Sequence, residues 1–284
     1  MLEYLAVRLV VASLEYTPRP VARFLARLYT ALLDVGIPRL RRAALANLKL
    51  TGYPAEFTDR AFRSIADVAV AVAKFPSITR ENVNEWIRYD GFEYFEEAKR
   101  RGKGVLFATA HLGNWELSAY AHALMAEPMS VVVRPLDNPR IDALVEKRRA
   151  MSGNTILGKR DFARSILKAL ARNEAVGILV DQNVGLNEGD FVQFFGVPAC
   201  VSLTFAKLAA RSGATVIPGF AVWNAKERRY VLKFYRPVEI SGDALVDTQR
   251  IQSAVERAIR EYPDQWLWVH RRWKTRPAGE KGLY

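Results

Sequence analysis

The sequence predicts an α/β protein with a mixed, mainly parallel sheet flanked by helices and an N-terminal amphipathic helical region. From residue 104 onward, short apolar runs rich in β-branched and aromatic residues alternate with longer segments of helical periodicity. Such an alternation is typical of strands connected by crossover helices. With 284 residues, half of them apolar, the chain is long enough to bury a large core. We therefore expect a helical region over 1–50 and an α/β domain over 51–284.

Two segments of the N-terminal region bear on whether it contacts a membrane. Residues 2–16 are apolar but contain Glu3, Arg8 and Glu15, and they fall short of the roughly 18 uncharged residues expected of a membrane span. Residues 21–33 predict a helix with one narrow polar stripe and an otherwise apolar surface. That pattern is typical of a helix lying in a membrane interface with arginines toward anionic headgroups, or of a helix covering the core. The stripe consists of Arg23, Arg27, Thr30 and Asp34.

The remaining elements are predicted from periodicity and from helix start and stop signals. Helices are expected over 58–76, 93–101, 114–125, 139–151, 161–172, 201–212 and 247–261. Strands are expected over 104–109, 130–134, 155–157, 175–180, 214–223 and 229–239. The last two strands are close enough in sequence to form an antiparallel hairpin, whereas the others are separated by helices and are expected to be parallel.

The stretch 108–116 places a histidine and a carboxylate at the corner between a strand and a helix. On one regular helix the five-residue step from His111 to Glu116 turns about 140°, and the two side chains diverge. They converge only if the chain bends between them. Gly113 permits a bend, and Asn114 is a favoured N-cap that puts Glu116 in the first helical turn. We therefore expect Glu116 to meet the ring of His111.

A carboxylate that binds one imidazole nitrogen fixes the tautomer and makes the other nitrogen a better base. Such a base can take a proton from an alcohol, and attack of that alcohol on an activated acyl carbonyl gives an ester. The other interpretation is a packed corner histidine beside a carboxylate favoured by the start of the helix. The pattern alone leaves both open.

Four ordered blocks resemble the bacterial lipid A biosynthesis acyltransferases, the late branch of the lysophospholipid acyltransferase superfamily. The blocks are HLGNWE at 111–116, VVVRPLDNP at 131–139, VDQ at 180–182 with FVQFFG at 191–196, and VIP at 216–218. The likeness extends from about residue 41 to residue 274. Gln193 stands where relatives commonly have proline, a departure that bears on the local loop shape.

The resemblance implies transfer of a fatty acyl chain from an acyl thioester, with acyl-acyl carrier protein as donor, to a hydroxyl of a lipid A precursor. It implies His111 as general base and Glu116 as the residue that orients it, with no cofactor and no metal. The resemblance also implies a location at the cytoplasmic face of the cell inner membrane. The chain would be attached there as a peripheral, a monotopic or a single-pass membrane protein. Acyl chain length, acceptor position and oligomeric state are not determined by the sequence.

Further candidates lie at strand ends, where ligands collect in open α/β sheets. Arg134 resembles the family's phosphate-binding position, and a salt bridge to Asp137 or Asp142 is the other interpretation. Asp181 either holds the site loops or is purely structural. The predicted substrate-binding residues are Asn114, Arg134, Lys159, Arg160, Asp181 and Gln182. The predicted acyl-pocket residues are Phe191, Phe194 and Phe195, although aromatic clusters are also typical of a plain core.

Charge and composition limit the kinds of partner that we expect the protein to bind. The formal net charge is +12, which favours an anionic partner: nucleic acid, a membrane surface, a phosphorylated lipid or an acidic protein. The C-terminal stretch 263–274 is rich in tryptophan and cationic residues, as at membrane interfaces. We expect no nucleic-acid partner, since no nucleic-acid motif accompanies that stretch. Cys200, the one cysteine, is expected to be buried, and no signal peptide is predicted.

Two alternatives to the main hypothesis stay open at this level. One is the same chemistry with acyl-CoA and another glycolipid or phospholipid, such as a phosphatidylinositol mannoside. The other is a non-catalytic protein that binds anionic lipid or nucleic acid through its basic surface. His122 and His270 have no partner pattern and are predicted to be non-catalytic. The sequence also lacks a nucleophile elbow, a P-loop and a dinucleotide-binding turn.

Overall fold

The computed structural model of the protein describes residues 1–158 and 162–284, and in these ranges it confirms the predicted α/β class. The strands are β1 (Ile87–Asp90), β2 (Val105–Thr109), β3 (Ser130–Val133), β4 (Thr155–Gly158), β5 (Ala175–Leu179), β6 (Asp190–Phe194), β7 (Val197–Val201), β8 (Thr215–Asn224) and β9 (Arg229–Phe234). The helices are α1 (Leu2–Tyr16), α2 (Arg19–Gly36), α3 (Pro38–Thr51), α4 (Phe57–Lys74), α5 (Phe92–Arg100), α6 (Trp115–Met125), α7 (Pro139–Ala150), α8 (Phe162–Ala171), α9 (Thr204–Ser212) and α10 (Ala244–Glu261).

In the described part of the chain, seven strands form one mixed sheet in the order β1-β9-β8-β2-β5-β3-β4. The pairs from β8 to β4 are all parallel, while β8 and β9 form the predicted antiparallel hairpin. The carboxyl ends of β2, β5 and β3 therefore meet at one edge, and their loops lie side by side there. This edge carries the predicted site.

Two features of the strand pattern differ from the prediction. β1 was not expected, because its four residues include Arg88 and Asp90 and lack a continuous apolar run. Within the residues that the structure describes, β6 and β7 pair only with each other as an antiparallel hairpin, and β7 contains Pro198. Their stability comes from packing against the C-terminal segment, which periodicity within the hairpin does not reveal.

The central strand β2 is buried on both faces, and its residues alternate between two cores. Phe107 packs with residues of α5 and α6 on one face of the sheet. Leu106 and Ala108 pack with residues of α8 and α9 on the other face. The helices thus cover both faces and leave the carboxyl edge free for loops.

The N-terminal helices pack with their small residues inward and large apolar residues outward. Ala22 and Ala26 of α2 are buried against Ala66 and Val70 of α4. The predicted helix over 21–33 is confirmed, but its polar stripe faces the protein as much as the solvent, since Arg23 lies 5.1 Å over the ring of Trp223. The outward face is apolar instead. Its exposed members are Val21, Phe24, Leu28, Leu32, Leu33 and Val35, and α1 adds Leu2, Leu5, Leu9 and Tyr16.

None of the described helices is both long enough and apolar enough to cross a membrane. The predicted division of the chain at residue 50 stays a prediction. Helix α4, which begins after that point, packs closely on α1 and α2.

Candidate active site

His111 lies directly after β2, on a corner that only glycine completes. Gly113 has a φ of +65°, and a Cβ at this position would come 2.0 Å from the carbonyl oxygen of Ala221. The backbone N–H of Asn114 donates to that same carbonyl at 2.8 Å. The corner is therefore fixed against β8, and the imidazole projects from a rigid backbone at the carboxyl edge of the sheet.

The carboxylate that meets His111 belongs to Asp181, not to Glu116. Asp181 Oδ1 lies 2.8 Å from His111 Nδ1, and Oδ2 accepts the backbone N–H of His111 at 2.9 Å. Asp181 follows β5, the strand that pairs with β2, so the parallel register brings the two residues together across 70 positions of sequence. The side chain of His111 keeps 12% of its surface exposed, which leaves Nε2 as the nitrogen open to a ligand.

Asp181 is held as a carboxylate although it is almost completely buried. Burial alone would raise its pKa, but the charge of His111 and the hydrogen bonds from His111 and Trp266 outweigh burial and hold the pKa well below its usual range. When the imidazole is neutral, an ionised carboxylate at Nδ1 favours the Nδ1–H tautomer and leaves Nε2 free to accept a proton. The pair His111–Asp181 therefore has the geometry of a general base and its orienting acid.

The C-terminal segment is part of this site. Trp266 donates its Nε1–H to Asp181 Oδ2 at 2.9 Å, and the N–H of Leu267 donates to the carbonyl of His111 at 2.9 Å. Trp266, Trp268 and Trp273 are each no more than 1% exposed. The prediction that these indoles sit at a membrane interface is therefore wrong. They form an aromatic core, because the segment folds back over β6 and β7 and beneath the corner.

Glu116 has a different partner from the predicted one. Its carboxylate binds Arg149 of α7 in a bidentate ion pair, with Oε1 2.5 Å and Oε2 2.8 Å from guanidinium nitrogens. The bend at Gly113 does not turn Glu116 toward the ring of His111. Trp115 lies next to the ring instead, with the two ring centroids 5.0 Å apart. The expected hydrogen bond between Glu116 and His111 is therefore a wrong prediction.

A narrow, mainly apolar cavity begins beside this ion pair. It lies between α6 and one face of the sheet, and its lining includes Glu116, Arg149, Thr109 and Leu179 near the carboxyl edge. The register places Phe107, Gly177 and Val131 side by side below them. Because β2 and β3 are parallel members of one sheet, α6 runs back from the carboxyl edge along the cavity. The cavity thus leads from the level of Glu116 into the core.

The predicted acyl-pocket residues do not line this cavity. Phe194 and Phe195 are buried in the aromatic core with Trp266 and Trp273, and Phe191 lies on the same β6–β7 hairpin. Phe194 and Phe195 therefore belong to a plain aromatic core, the other interpretation of the sequence, because the hairpin lies against α10 and the C-terminal segment. The role of Phe191 stays a prediction.

Of the other predicted binding residues, two are exposed, one is buried and two lie outside the described residues. Gln182 is exposed, and its Nε2 lies 3.5 Å from His111 Nε2. Arg134 is 78% exposed, and its distance of 3.9 Å to Asp137 makes a loose surface pair. Asn114 is completely buried as the N-cap of α6, where Oδ1 accepts from Leu117, so its predicted contact with substrate has no geometric support. Lys159 and Arg160 lie outside the described residues.

The whole-chain comparison decides the family. The profile described as bacterial lipid A biosynthesis acyltransferase matches residues 1–275. The chain belongs to this acyltransferase family. It is therefore an acyl-transferring enzyme, as the sequence blocks predicted.

Individual members of the family give the same result. The chain is 29% identical over 280 residues to the lipid A biosynthesis palmitoleoyltransferase of Escherichia coli K12, covering 94% of this chain and 89% of the relative. It is 32% identical over 206 residues to the lauroyltransferase of the same organism, covering 71% of this chain and 66% of the relative. The myristoyltransferase of E. coli K12 is 23% identical over 249 residues, covering 84% and 77%. These relatives are named for three different acyl chains.

Several residues of this acyltransferase site carry no signal that sequence reasoning could use. Arg149 lies in a helix whose charged residues are typical of a solvent-exposed face, and Trp266 lies 155 positions from the corner it supports. His270 accepts the N–H of Asn183 at 3.2 Å, and burial lowers its pKa to about 4, so it is neutral there.

In the described part of the chain, no group of three or more His, Cys, Asp or Glu side chains is arranged to hold a metal ion.

Proposed function

We propose that the enzyme transfers a fatty acyl chain from acyl-acyl carrier protein to a hydroxyl of a lipid A precursor, with His111 as general base and Asp181 as its orienting acid. The observation that carries this proposal is the buried Asp181 carboxylate on His111 Nδ1 in a chain of this family. In the proposed reaction His111 Nε2 takes the hydroxyl proton as the alcohol oxygen attacks the thioester carbonyl. The C–S bond then breaks, and the proton passes to the leaving thiolate.

The cavity beneath α6 is the proposed site of the acyl chain. Its lining is predominantly apolar, and its upper end is level with the first turn of α6, which follows the His111 corner. A hydrocarbon chain buried there would gain roughly 0.8 kcal/mol per methylene group from leaving water. Glu116 and Arg149 stand at that upper end, and we assign Glu116 the role of positioning Arg149 beside the thioester rather than orienting His111.

The acceptor lipid and the acyl donor are both proposed to bind at the carboxyl edge of the sheet. Arg134 is exposed on the loop after β3, and one strand, β5, separates β3 from β2. At about 4.8 Å per strand, Arg134 stands roughly 10 Å from the level of His111, within reach of a phosphate on a large glycolipid. The formal net charge of +12 suits both this anionic lipid and an acidic carrier protein.

The apolar outer face of α1 and α2 is the proposed membrane contact, on the cytoplasmic side of the inner membrane. Phe24 is 68% exposed and Leu32 is 63% exposed, although both are large apolar side chains. A surface of this kind is typical of a helix that lies in a bilayer interface. We expect Phe24→Glu with Leu28→Glu to weaken sedimentation with phosphatidylglycerol-containing vesicles. The control is Leu245→Glu with Val246→Glu, the same number of apolar-to-acidic changes at exposed positions of α10, and it should leave sedimentation unchanged.

The transfer assay uses purified enzyme, a lipid A precursor, and either carrier-protein or CoA thioesters of one chain length. Wild-type protein is expected to favour the carrier thioester, and His111→Ala to lose nearly all turnover while keeping its fold and vesicle binding. A preference for CoA thioesters, or for a phosphatidylinositol mannoside over the lipid A precursor, would overturn the substrate assignment. Cells without the protein should contain a lipid A that lacks one acyl chain by mass spectrometry.

A further inference from the structure

The wall of the proposed acyl cavity includes a histidine, and one of the two ring nitrogens of this residue has no hydrogen-bond partner among the described residues. His122 lies on the cavity side of α6 and is only 2% exposed. Aromatic rings surround its imidazole, with centroids 4.7 Å away for Phe95, 5.3 Å for Phe107 and 6.0 Å for Phe234. Phe107 and Phe234 also line the cavity, so the ring forms part of the cavity wall.

The two nitrogens of this ring are in different situations. Nδ1 lies 2.7 Å from the hydroxyl oxygen of Tyr89, which is not a lining residue. Nε2 is buried and has no hydrogen-bond partner among the described residues. A buried polar atom without a partner is costly, and it points to a ligand group or to a role in selection.

The other polar groups of the lining do not share this situation. Asn154 donates to the carbonyl of Ala119 and accepts from the N–H of Met129, both at 2.9 Å. Glu116 and Arg149 bind each other. Among the described residues that have a buried side-chain atom without a partner, His122 is the one that also lines the cavity.

The position of His122 sets how far from the thioester a ligand group would lie. His122 follows Glu116 by six residues on α6, and at 1.5 Å per residue this is about 9 Å along the helix. An acyl chain entering beside Glu116 would therefore pass His122 with its middle or distal carbons. The carbons next to the thioester would not reach it.

A neutral hydroxyl suits this nitrogen best. Burial, assisted by the charge of Lys99, lowers the pKa of His122 to about 3, so the ring is uncharged at neutral pH. If Tyr89 donates to Nδ1, Nε2 carries the proton and donates; if Nδ1 donates to Tyr89, Nε2 accepts. A hydroxyl group can serve as partner in both tautomers, because it can donate and accept.

We propose that His122 Nε2 recognises a hydroxyl group on the middle or distal part of a fatty acyl chain, so that the enzyme distinguishes hydroxylated from unsubstituted acyl groups. This inference rests on the proposed function in that it assigns the cavity to the acyl chain. A site that hydrogen-bonds a hydroxyl discriminates strongly against the analogue without it, because its own polar atom is then left unpaired.

A binding measurement tests the proposal without requiring transfer. The probes are fatty acid methyl esters of one chain length, unsubstituted or with one hydroxyl at successive positions from the middle to the distal end. Selective ¹⁵N labelling of the three histidine rings reports the contact, and His122→Phe identifies the His122 signals. We expect at least one hydroxylated isomer to bind about ten times more tightly than the plain ester and to shift Nε2. His122→Phe should bring that ratio near one, and His122→Gln, which retains hydrogen-bonding groups, should restore part of it.

The outcomes separate this proposal from the proposed function. Equal binding of the plain ester and of every hydroxylated isomer would overturn the role of His122, as would a preference that survives in His122→Phe. Wild-type protein that binds hydroxylated esters selectively but transfers no acyl group would support the role of His122 and count against the proposed function. Circular dichroism on both variants shows that a lost preference is not a lost fold.

Discussion

Replacing Asp181 with asparagine tests the assignment of the catalytic pair most directly. The carboxylate accepts three hydrogen bonds, two from His111 and one from Trp266. An asparagine in the same place has a single oxygen. If that oxygen takes the place of Oδ2, it satisfies the N–H of His111 and the indole of Trp266, which are two donors.

The amide nitrogen of the substituted side chain would then face His111 Nδ1 and donate to it. Nδ1 becomes an acceptor, the ring proton moves to Nε2, and His111 can no longer take a proton from the acceptor hydroxyl. General bases typically contribute about 10²–10⁴-fold to rate, and a wrong tautomer places the loss near the upper end of that range. We therefore expect Asp181→Asn to lower kcat by about 10³–10⁴-fold.

The assay is steady-state transfer of a radiolabelled acyl group, with products separated by thin-layer chromatography. KM should change little, because Asp181 is only 3% exposed and does not face the substrate. Asp90→Asn, the same chemical change at the exposed end of β1, is the matched control and should keep wild-type kcat. In the double variant, adding His111→Ala to Asp181→Asn should cost nothing beyond His111→Ala alone, because the two residues act as one unit.

Three results would contradict this assignment. An Asp181→Asn enzyme with a tenth or more of wild-type kcat would show that the carboxylate does not control the tautomer of His111. Additive losses in the double variant would show that the two side chains act independently. A loss confined to KM would place Asp181 in substrate binding instead.

Three further predictions concern the supports of this pair. Trp266→Phe removes the indole donor to Asp181. We expect kcat to fall about tenfold and the free energy of unfolding in urea to drop by about 1–3 kcal/mol. An unchanged kcat would contradict this prediction. Gly113→Ala should lower the free energy of unfolding by more than Gly52→Ala does. Both glycines have a positive φ, but of the two only a Cβ at 113 would meet backbone, 2.0 Å from the carbonyl oxygen of Ala221. Equal losses in the two variants would count against the fixed corner. The lowered pKa of Asp181 means that the unfolded chain binds the proton more readily, so its stabilisation is complete at neutral pH and is lost as pH falls below about 4. Urea unfolding free energies of wild type and Asp181→Asn should therefore differ at pH 7, and the difference should shrink as pH falls below about 4; a difference that stays constant with pH would contradict the assignment.

The order of strands and helices could be predicted from the sequence because local periodicity controls it. Each crossover unit from β2 to β5 has a buried apolar strand and a helix with clear start or stop signals, and predicted and observed bounds agree within a few residues. The corner at His111 and the cap at Asn114 were predictable as well, since glycine and N-cap preferences act over a few residues. β1 and the β6–β7 hairpin were not predictable in this way, because their stability depends on distant partners.

The fold class, the family blocks and His111 as the catalytic candidate all follow from the order of the amino acids. The carboxylate that this histidine meets depends instead on the folded packing, because Glu116 is near in sequence but Asp181 is near across a strand register. The same holds for the tryptophans, which composition assigned to a membrane and packing placed in a core. Local propensity acts between neighbouring residues, whereas the identity of a buried partner depends on sheet order, and that order is fixed by the packing of the whole chain.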